Sequence, residues 1–145
     1  MKHNNLFLWL LGLTVCWLAS CSEEDGRVTY PYSCPEISEL QFSTTDQTPA
    51  ADSLYFSVKI HDPQTPLSTL EVKLMTGETL VSSQSIRTKG TDVSIVEKGI
   101  YIPFEAGLEE NQEAKVILTA INVEGSEVTQ TFDFHITRPQ IPEVL

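Results

Sequence analysis

The chain has 145 residues, 41% of them hydrophobic, and its 20 acidic residues outnumber its 9 basic residues to give a formal net charge of −11. So acidic a chain lacks the clustered lysine and arginine that nucleic acids and anionic lipid head groups require of a protein partner. Three cysteines in a chain of this length exclude a disulfide-rich scaffold, and the length suits a single domain.

The first 20 residues have the pattern of a secretory signal peptide. Lys2 and His3 form a short basic head, and the 13 residues from Leu6 to Leu18 are apolar except for one glycine and one threonine. As a helix this run would be roughly 20 Å long, which is too short for a bilayer that needs about 20 apolar residues. We therefore predict a cleaved signal over residues 1–20.

The cleavage site carries a second signal. The four residues Leu18-Ala19-Ser20-Cys21 resemble the lipobox of bacterial lipoproteins and directly follow the apolar run. The resemblance implies cleavage before Cys21 and acylation of its thiol, so the partner at this end is a membrane reached through a lipid anchor. Several acyl chains, each adding about 0.8 kcal/mol per buried methylene group, hold a protein firmly where one chain is marginal.

The residues after the cysteine, Ser22, Glu23, Glu24 and Asp25, resemble the surface-export signal of Bacteroidetes lipoproteins. That resemblance implies an outer-membrane protein exposed at the cell surface. The alternative is a solvated acidic tether, because runs of like charge are usually disordered. In either case residues 21–34 are predicted to form a tether that ends at Cys34, a thiol with no partner in the mature chain.

Alternation of apolar and polar residues indicates short β-strands from Glu36 onward. The clearest run has Leu54, Phe56, Val58 and Ile60 on one face and ends at Asp62-Pro63, because proline cannot donate to a strand ladder. Residues 93–104 are predicted to form two short strands or one bulged strand, and residues 105–115 a short helix at most. The other alternating runs are residues 39–42, 70–74, 79–86, 116–120 and 128–136.

Six or seven strands within residues 35–138 predict an all-β protein with a β-sandwich fold, followed by a proline-containing tail or linker over residues 139–145. The buried tryptophan of antibody domains is absent, because both tryptophans lie in the signal, and their disulfide is absent, because Cys34 has no partner in the mature chain. The segment from Ala120 to Gly125, with the strand that ends in Phe132-Asp133-Phe134-His135-Ile136, is similar to the last hairpin of bacterial Ig-like and fibronectin-III-like domains. With the lipobox and acidic tether, the chain resembles the N-terminal Ig-like domain of Bacteroidetes surface lipoproteins.

Many lipoproteins of that kind belong to glycan-utilisation systems similar to the starch-utilisation system. The resemblance therefore implies an Ig-like sandwich of about seven strands in a protein of glycan capture or uptake. Its implied partners are an outer-membrane transporter or a glycan.

Catalytic and metal motifs are missing from the sequence. It has no Gly-x-Ser-x-Gly elbow, phosphate loop, His-Glu-x-x-His or paired-cysteine spacing, so we expect no enzyme and no cofactor. Asp133 and His135 share one strand face, but two ligands are too few for zinc. A calcium site is a further hypothesis, because an Ig-like fold would bring three acidic loop residues to one end of the sandwich, where their oxygens could bind Ca²⁺. These residues are Asp62, Glu124 and Glu127.

Two outward tyrosines form the candidate ligand face. Tyr55 and Tyr101 lie between inward residues of predicted neighbouring strands, and flat amphipathic rings suit binding to a sugar or a protein. The alternative is an ordinary cross-strand pair that supports the sheet. Asp52-Ser53-Leu54 resembles the O-glycosylation motif of exported Bacteroidetes proteins, which makes Ser53 a candidate modification site; the alternative is a serine that begins a strand.

The function expected from these features is that of a non-enzymatic, surface-anchored spacer or interaction domain in glycan capture or uptake. A direct carbohydrate-binding module is the first alternative. An adhesin, an inhibitor or a small secreted hydrolase is the second, although no nucleophile and base pattern supports a hydrolase.

Overall fold

The computed structural model describes residues 28–43, 47–49, 52–104 and 111–138, and all regular secondary structure in these ranges is β-strand. No helix of a length and apolarity suited to crossing a bilayer is present there. The eight strands are β1 (Glu36–Phe42), β2 (Gln47–Pro49), β3 (Ser53–His61), β4 (Leu67–Thr76), β5 (Thr79–Arg87), β6 (Asp92–Tyr101), β7 (Gln112–Asn122) and β8 (Glu127–Thr137).

The strands form two sheets with the orders β1-β3-β6 and β2-β8-β7-β4-β5. Every pairing is antiparallel except that of β2, which runs parallel to the end of β8. The prediction of an all-β sandwich is confirmed. The structure has one strand more than the seven predicted. This strand is β2, whose sequence Gln-Thr-Pro has no alternation of apolar and polar residues from which a strand could be predicted.

The core lies between the two sheets and is made by the inward residues of the central strands. The alternation predicted for residues 54–60 is confirmed, because Leu54, Phe56, Val58 and Ile60 are all buried. Strands β4 and β7 face them with residues of the same kind, which include Leu70, Val72, Leu74, Val116, Leu118 and Ala120. Large side chains that interdigitate in this way supply most of the favourable free energy of folding.

Two segments resolve alternatives that the sequence left open. Residues 92–101 form one bulged strand, since the register of β3 on β6 shifts between Phe56 and Val58, and Glu97 takes a φ of 48° there. The short helix allowed at most within residues 105–115 does not include the last four of them, because Gln112–Lys115 begin strand β7 and Ala114 is buried against the core. Residues 105–110 lie outside the described ranges.

Side-chain contacts between the two sheets cover the core along both lateral edges of the sandwich. On one side Phe42 of β1 stacks on Phe132 of β8 with ring centroids 4.0 Å apart, and Gln130 Nε2 donates to the carbonyl of Ile37 at 3.2 Å. On the other side Gln84 Nε2 of β5 donates to the carbonyl of Gly99 of β6 at 3.1 Å. Each amide satisfies a backbone carbonyl at a strand edge that would otherwise lack a protein partner.

The chain enters and leaves the sandwich at opposite ends. Strand β1 begins beside the end of β3, where Glu36 pairs with His61. The turn at residues 123–126 lies at this same end, which we call the N-terminal pole, and β8 runs from there to Thr137 at the C-terminal pole. Eleven residues of strand cover roughly 35 Å.

Candidate functional site

The N-terminal pole holds a buried polar network centred on Asp62. This residue follows β3 and is fully buried, although most aspartates lie at the surface. Its carboxylate accepts hydrogen bonds from the Ser33 hydroxyl, from the backbone N–H of Gln64 at 3.1 Å and of Thr65 at 2.8 Å, and from Asn122 Nδ2 at 3.0 Å. Such donors replace the water that the carboxylate loses on burial.

Asn122, the last residue of β7, joins the network to the β7–β8 turn. Its Nδ2 donates to the Ser33 carbonyl at 3.0 Å as well as to Asp62, and its Oδ1 accepts from the N–H groups of Glu124 at 3.1 Å and Ser126 at 2.9 Å. Both amide protons and both lone pairs of the side chain are therefore used. The turn itself is tight because Gly125 takes a φ of 86°.

The segment before β1 is fastened into this pole. Ser33, assigned by the sequence to the tether, is buried, and its Oγ lies 2.9 Å from Thr65 Oγ1. The Thr65 hydroxyl in turn donates to the carbonyl of Pro31 at 2.9 Å. The chain that precedes the sandwich is thus bonded to two loops before the first strand begins.

Hydrogen bonding changes the acidity of Asp62. Burial alone would raise the pKa of this carboxyl, because desolvation disfavours the charged form. The hydrogen bonds from Ser33 and Asn122, and those from the N–H groups of Thr65 and Gln64, outweigh burial and lower the pKa to about 2. The hydrogen bonds of the folded protein therefore favour the deprotonated, charged form of Asp62.

The calcium hypothesis finds no support in this geometry. The described ranges contain no group of three or more His, Cys, Asp or Glu side chains that could hold a metal ion. Asp62 is engaged by protein donors, while Glu124 and Glu127 are exposed. Asp133 is likewise exposed and lies opposite Lys115, and His135 lies opposite Glu113.

The two candidate tyrosines lie on the outer face of the β1-β3-β6 sheet. Tyr55 is 46% exposed and Tyr101 is 59% exposed. Tyr101 pairs with Ser53, whereas Tyr55 pairs with Gly99, so the two rings occupy diagonal positions. A β-carbon at Gly99 would lie 3.3 Å from Cε1 of Tyr55, which places the tyrosine ring over the glycine backbone. Tyr55 therefore covers a position where β6 has no side chain of its own.

The remaining candidates are spread over the molecule. Ser53 begins β3 and is half-buried, and its N–H donates to Asp52 Oδ1 at 2.7 Å. Cys34 is a free, exposed thiol whose Sγ lies 3.5 Å from the Tyr32 hydroxyl. Cys21 and the acidic run from Ser22 to Asp25 lie outside the described residues.

A shallow groove of about 350 Å³ also lies on the outer face of the β1-β3-β6 sheet. His61 Nδ1 and Asp92 Oδ1 lie 2.7 Å apart at one end, and Lys59 Nζ, farther along, lies 2.7 Å from Glu39 Oε2. Lys59 is ion-paired with Glu39 and the Asp92 carboxylate is bonded to His61, so neither charged residue that lines this groove is free for a ligand.

Sequence reasoning missed Ser33, Thr65 and Asn122, which complete the network around Asp62. Ser33 is 29 positions from Asp62 and Asn122 is 60 positions away, so no local motif links them. The available signals were the Asp62-Pro63 stop of a strand and an asparagine directly before a glycine-containing turn, which also fit ordinary exposed loops.

Comparisons with known proteins give a family and a distant structural likeness. A sequence profile of the family described as "Domain of unknown function (DUF5016)" matches residues 6–127. No curated protein matches the chain. Among solved structures, the chain is similar to an engineered protein determined at 1.98 Å, with 15% identity and a TM-score of 0.39 over 71% of this chain. The chain spans 20% of the length of that protein.

Proposed function

This chain belongs to the family of domains of unknown function DUF5016, and on that premise we propose that it is a non-enzymatic, lipid-anchored spacer and interaction domain at the cell surface. The family match begins at residue 6, inside the apolar run that precedes Cys21. The apolar run is therefore part of the sequence pattern that the family shares, and this supports its assignment as a signal peptide.

We also propose that the sandwich is Ig-like. Strands β1, β3 and β6 occupy the positions of the A, B and E strands, and β4, β7 and β8 those of the C, F and G strands of an immunoglobulin domain. Strand β5 then extends the second sheet beside the C-strand position, as an additional strand does in variable-type domains. This correspondence supports the resemblance found in the last hairpin of the sequence.

The observation that carries the spacer function is the position of the two chain ends. A domain that receives the chain at one pole and releases it at the other adds its full length between the membrane and whatever follows. With Cys21 in the bilayer, the N-terminal pole faces the membrane and the C-terminal pole faces outward, roughly 35 Å farther away.

The network around Asp62 suits the same function. A spacer must resist separation of its tether from its body, and here Ser33 is bonded to the β3–β4 loop and to Asn122. Load applied at the lipid anchor therefore reaches two loops of the sandwich in addition to the edge strand β1. We base the proposed role in glycan uptake, and the proposed partnership with an outer-membrane transporter, on the sequence resemblance to glycan-utilisation lipoproteins.

Direct carbohydrate binding is the second candidate, favoured by the exposed tyrosines on one face. Stacking on such rings contributes about 1–3 kcal/mol, by analogy with nucleic acid bases on aromatic side chains. Binding at even 1 mM requires about 4 kcal/mol, and the outward neighbours of Tyr55 on its strand are only Ser53 and Ser57. The spacer function is therefore the better supported of the two.

The lipid anchor is tested by the mass and location of the mature protein. We expect the wild-type chain in the membrane fraction to begin at Cys21 and to carry additional acyl mass, because each acyl chain adds many buried methylene groups. Cys21→Ser should abolish this acyl mass and either release the chain or leave it as the uncleaved precursor, while Cys34→Ser, the matched control, should change neither the acyl mass nor the cleavage. A soluble, unacylated wild-type protein would refute the anchor.

A further inference from the structure

The four outer edges of the two sheets are formed by β1, β6, β2 and β5, and the first three are bulged in mid-strand or very short, which opposes pairing with another chain. Strand β1 has a bulge at Glu39, where φ is 50°, and β6 has a bulge at Glu97. Strand β2 is three residues long and ends in Pro49. Short length, bulges, charge and proline are the means by which proteins protect sheet edges.

Strand β5 lacks such protection over most of its length. The register shift opposite Leu74 and Met75 leaves one extra residue, Val81, at its start. From Ser82 to Arg87 the pairing with β4 is regular, and the sequence Ser-Ser-Gln-Ser-Ile contains no charge and no proline before Arg87.

The hydrogen-bond pattern identifies the backbone groups that face outward. The N–H of Thr88 donates to the carbonyl of Ser68 at 3.0 Å, which sets the phase of the antiparallel ladder. Residues directly opposite each other alternate between bonded and non-bonded pairs, so Ser83, Ser85 and Arg87 direct their N–H and C=O groups away from β4. All three residues are exposed, and the described part of the chain provides no partner for these groups.

The surroundings of this edge add apolar and charged features. Val81 and Ile86 of β5, with Val93 and Ile95 of the neighbouring edge strand β6, are only partly buried against the core. Leu40, Phe42, Val128 and Phe132 on the other side of the sandwich are partly buried as well, but the strand edges there belong to the bulged β1 and the short β2. Arg87 and Lys89, at one end of β5, are paired with no carboxylate in the described ranges.

We propose that the outer edge of β5 binds an extended segment of a partner protein, which adds to the sheet as an antiparallel strand. Backbone groups of Ser83, Ser85 and Arg87 form the ladder, and alternate apolar side chains of the segment cover Ile86 and its neighbours. A carboxylate side chain of the segment lies beside Arg87 and Lys89. The strand ladder depends on the fold alone, whereas the choice of a partner protein over a second copy rests in part on the proposed lipid anchor.

A second copy of this chain suits the edge less well. Antiparallel pairing of two β5 strands would reverse one copy relative to the other, so their N-terminal poles would point in opposite directions. Two copies tethered to one membrane through those poles cannot easily adopt this arrangement. The net charge of −11 further opposes self-association.

The test uses a library of random nine-residue peptides displayed on phage and selected on the purified chain, followed by synthesis of the selected peptide. Ser85→Pro removes an outward N–H without removing a bond to β4, because proline is tolerated at strand edges where the N–H faces solvent. Ser85→Thr is the matched control that keeps the N–H, and Ser85→Lys is a second edge-blocking variant if the proline variant does not fold. Amide exchange at Ile86 reports whether each variant retains the β4–β5 ladder.

We expect the selected peptides to alternate apolar residues and to carry an acidic residue. The synthetic peptide should slow exchange of the Ser83, Ser85 and Arg87 amides, and Ser85→Pro should weaken its binding about tenfold or more while Ser85→Thr does not. Selection that enriches peptides equally on wild type and Ser85→Pro, or enriches none, overturns the proposal. A peptide-free dimer that Ser85→Pro dissociates would also overturn it, because the occupant would then be a second copy.

Discussion

Asp62→Ala is expected to destabilise the fold by about 3 kcal/mol or more. The variant removes the acceptor for the Ser33 hydroxyl, the Asn122 amide and two backbone N–H groups, all at a buried position. A buried donor left without a partner costs about 1–3 kcal/mol, and more when the lost partner is charged. Urea denaturation of the purified protein measures the loss, which should lower the melting temperature by roughly 10 °C.

Asp133→Ala is the matched control, because Asp133 is an exposed aspartate on the outer face of β8. A surface substitution of this kind should change the free energy of unfolding by less than about 0.5 kcal/mol. Equal stability of the Asp62→Ala and Asp133→Ala proteins would show that the buried network contributes nothing to the fold.

Acid is expected to remove a part of the same stabilisation, and the direction follows from the lowered pKa of Asp62. The folded value of about 2 lies below the ordinary value of 3.8, so the folded state holds its proton less tightly than the unfolded state. The stabilisation is present in full above about pH 4 and is lost as the pH falls toward 2. The difference between the two pKa values corresponds to about 2–3 kcal/mol.

The other acidic residues also titrate in this range, so the comparison is made with Asp62→Asn. The asparagine has no charge at any pH, and the stability difference between wild type and variant therefore isolates Asp62. We expect that difference to shrink by about 2 kcal/mol between pH 5 and pH 2. A difference that is constant over this range would mean that the carboxylate has the same pKa in the folded and unfolded states.

The parts of the fold that the sequence predicted are those governed by local alternation. Strand β3 could be predicted because a strand with one buried face has an apolar residue at every second position. In β3 these residues are Leu54, Phe56, Val58 and Ile60. Strand β2 carries no such repeat and exists through its parallel pairing with the distant β8, which local patterns do not encode.

Asp62 shows the same limit at the level of the site. The sequence placed it correctly at the end of a strand but suggested an exposed calcium ligand, because acidic loop residues are usually solvated. Its burial depends on Ser33 and Asn122, which reach it only after both sheets have formed. The diagonal position of Tyr55 and Tyr101 likewise depended on the β3–β6 register, which the bulge at Glu97 shifts.

The central claim is that the sandwich holds its C-terminal pole away from the membrane, and energy transfer from the two poles to the bilayer tests it most directly. Acylated protein carrying Cys34→Ser receives one donor dye through Val123→Cys at the N-terminal pole or Glu78→Cys at the C-terminal pole, both exposed turn positions. Liposomes carry an acceptor lipid. The poles are roughly 35 Å apart along the strands. We predict clearly stronger transfer from position 123 than from position 78; equal transfer from both, or stronger transfer from position 78, would contradict the spacer function.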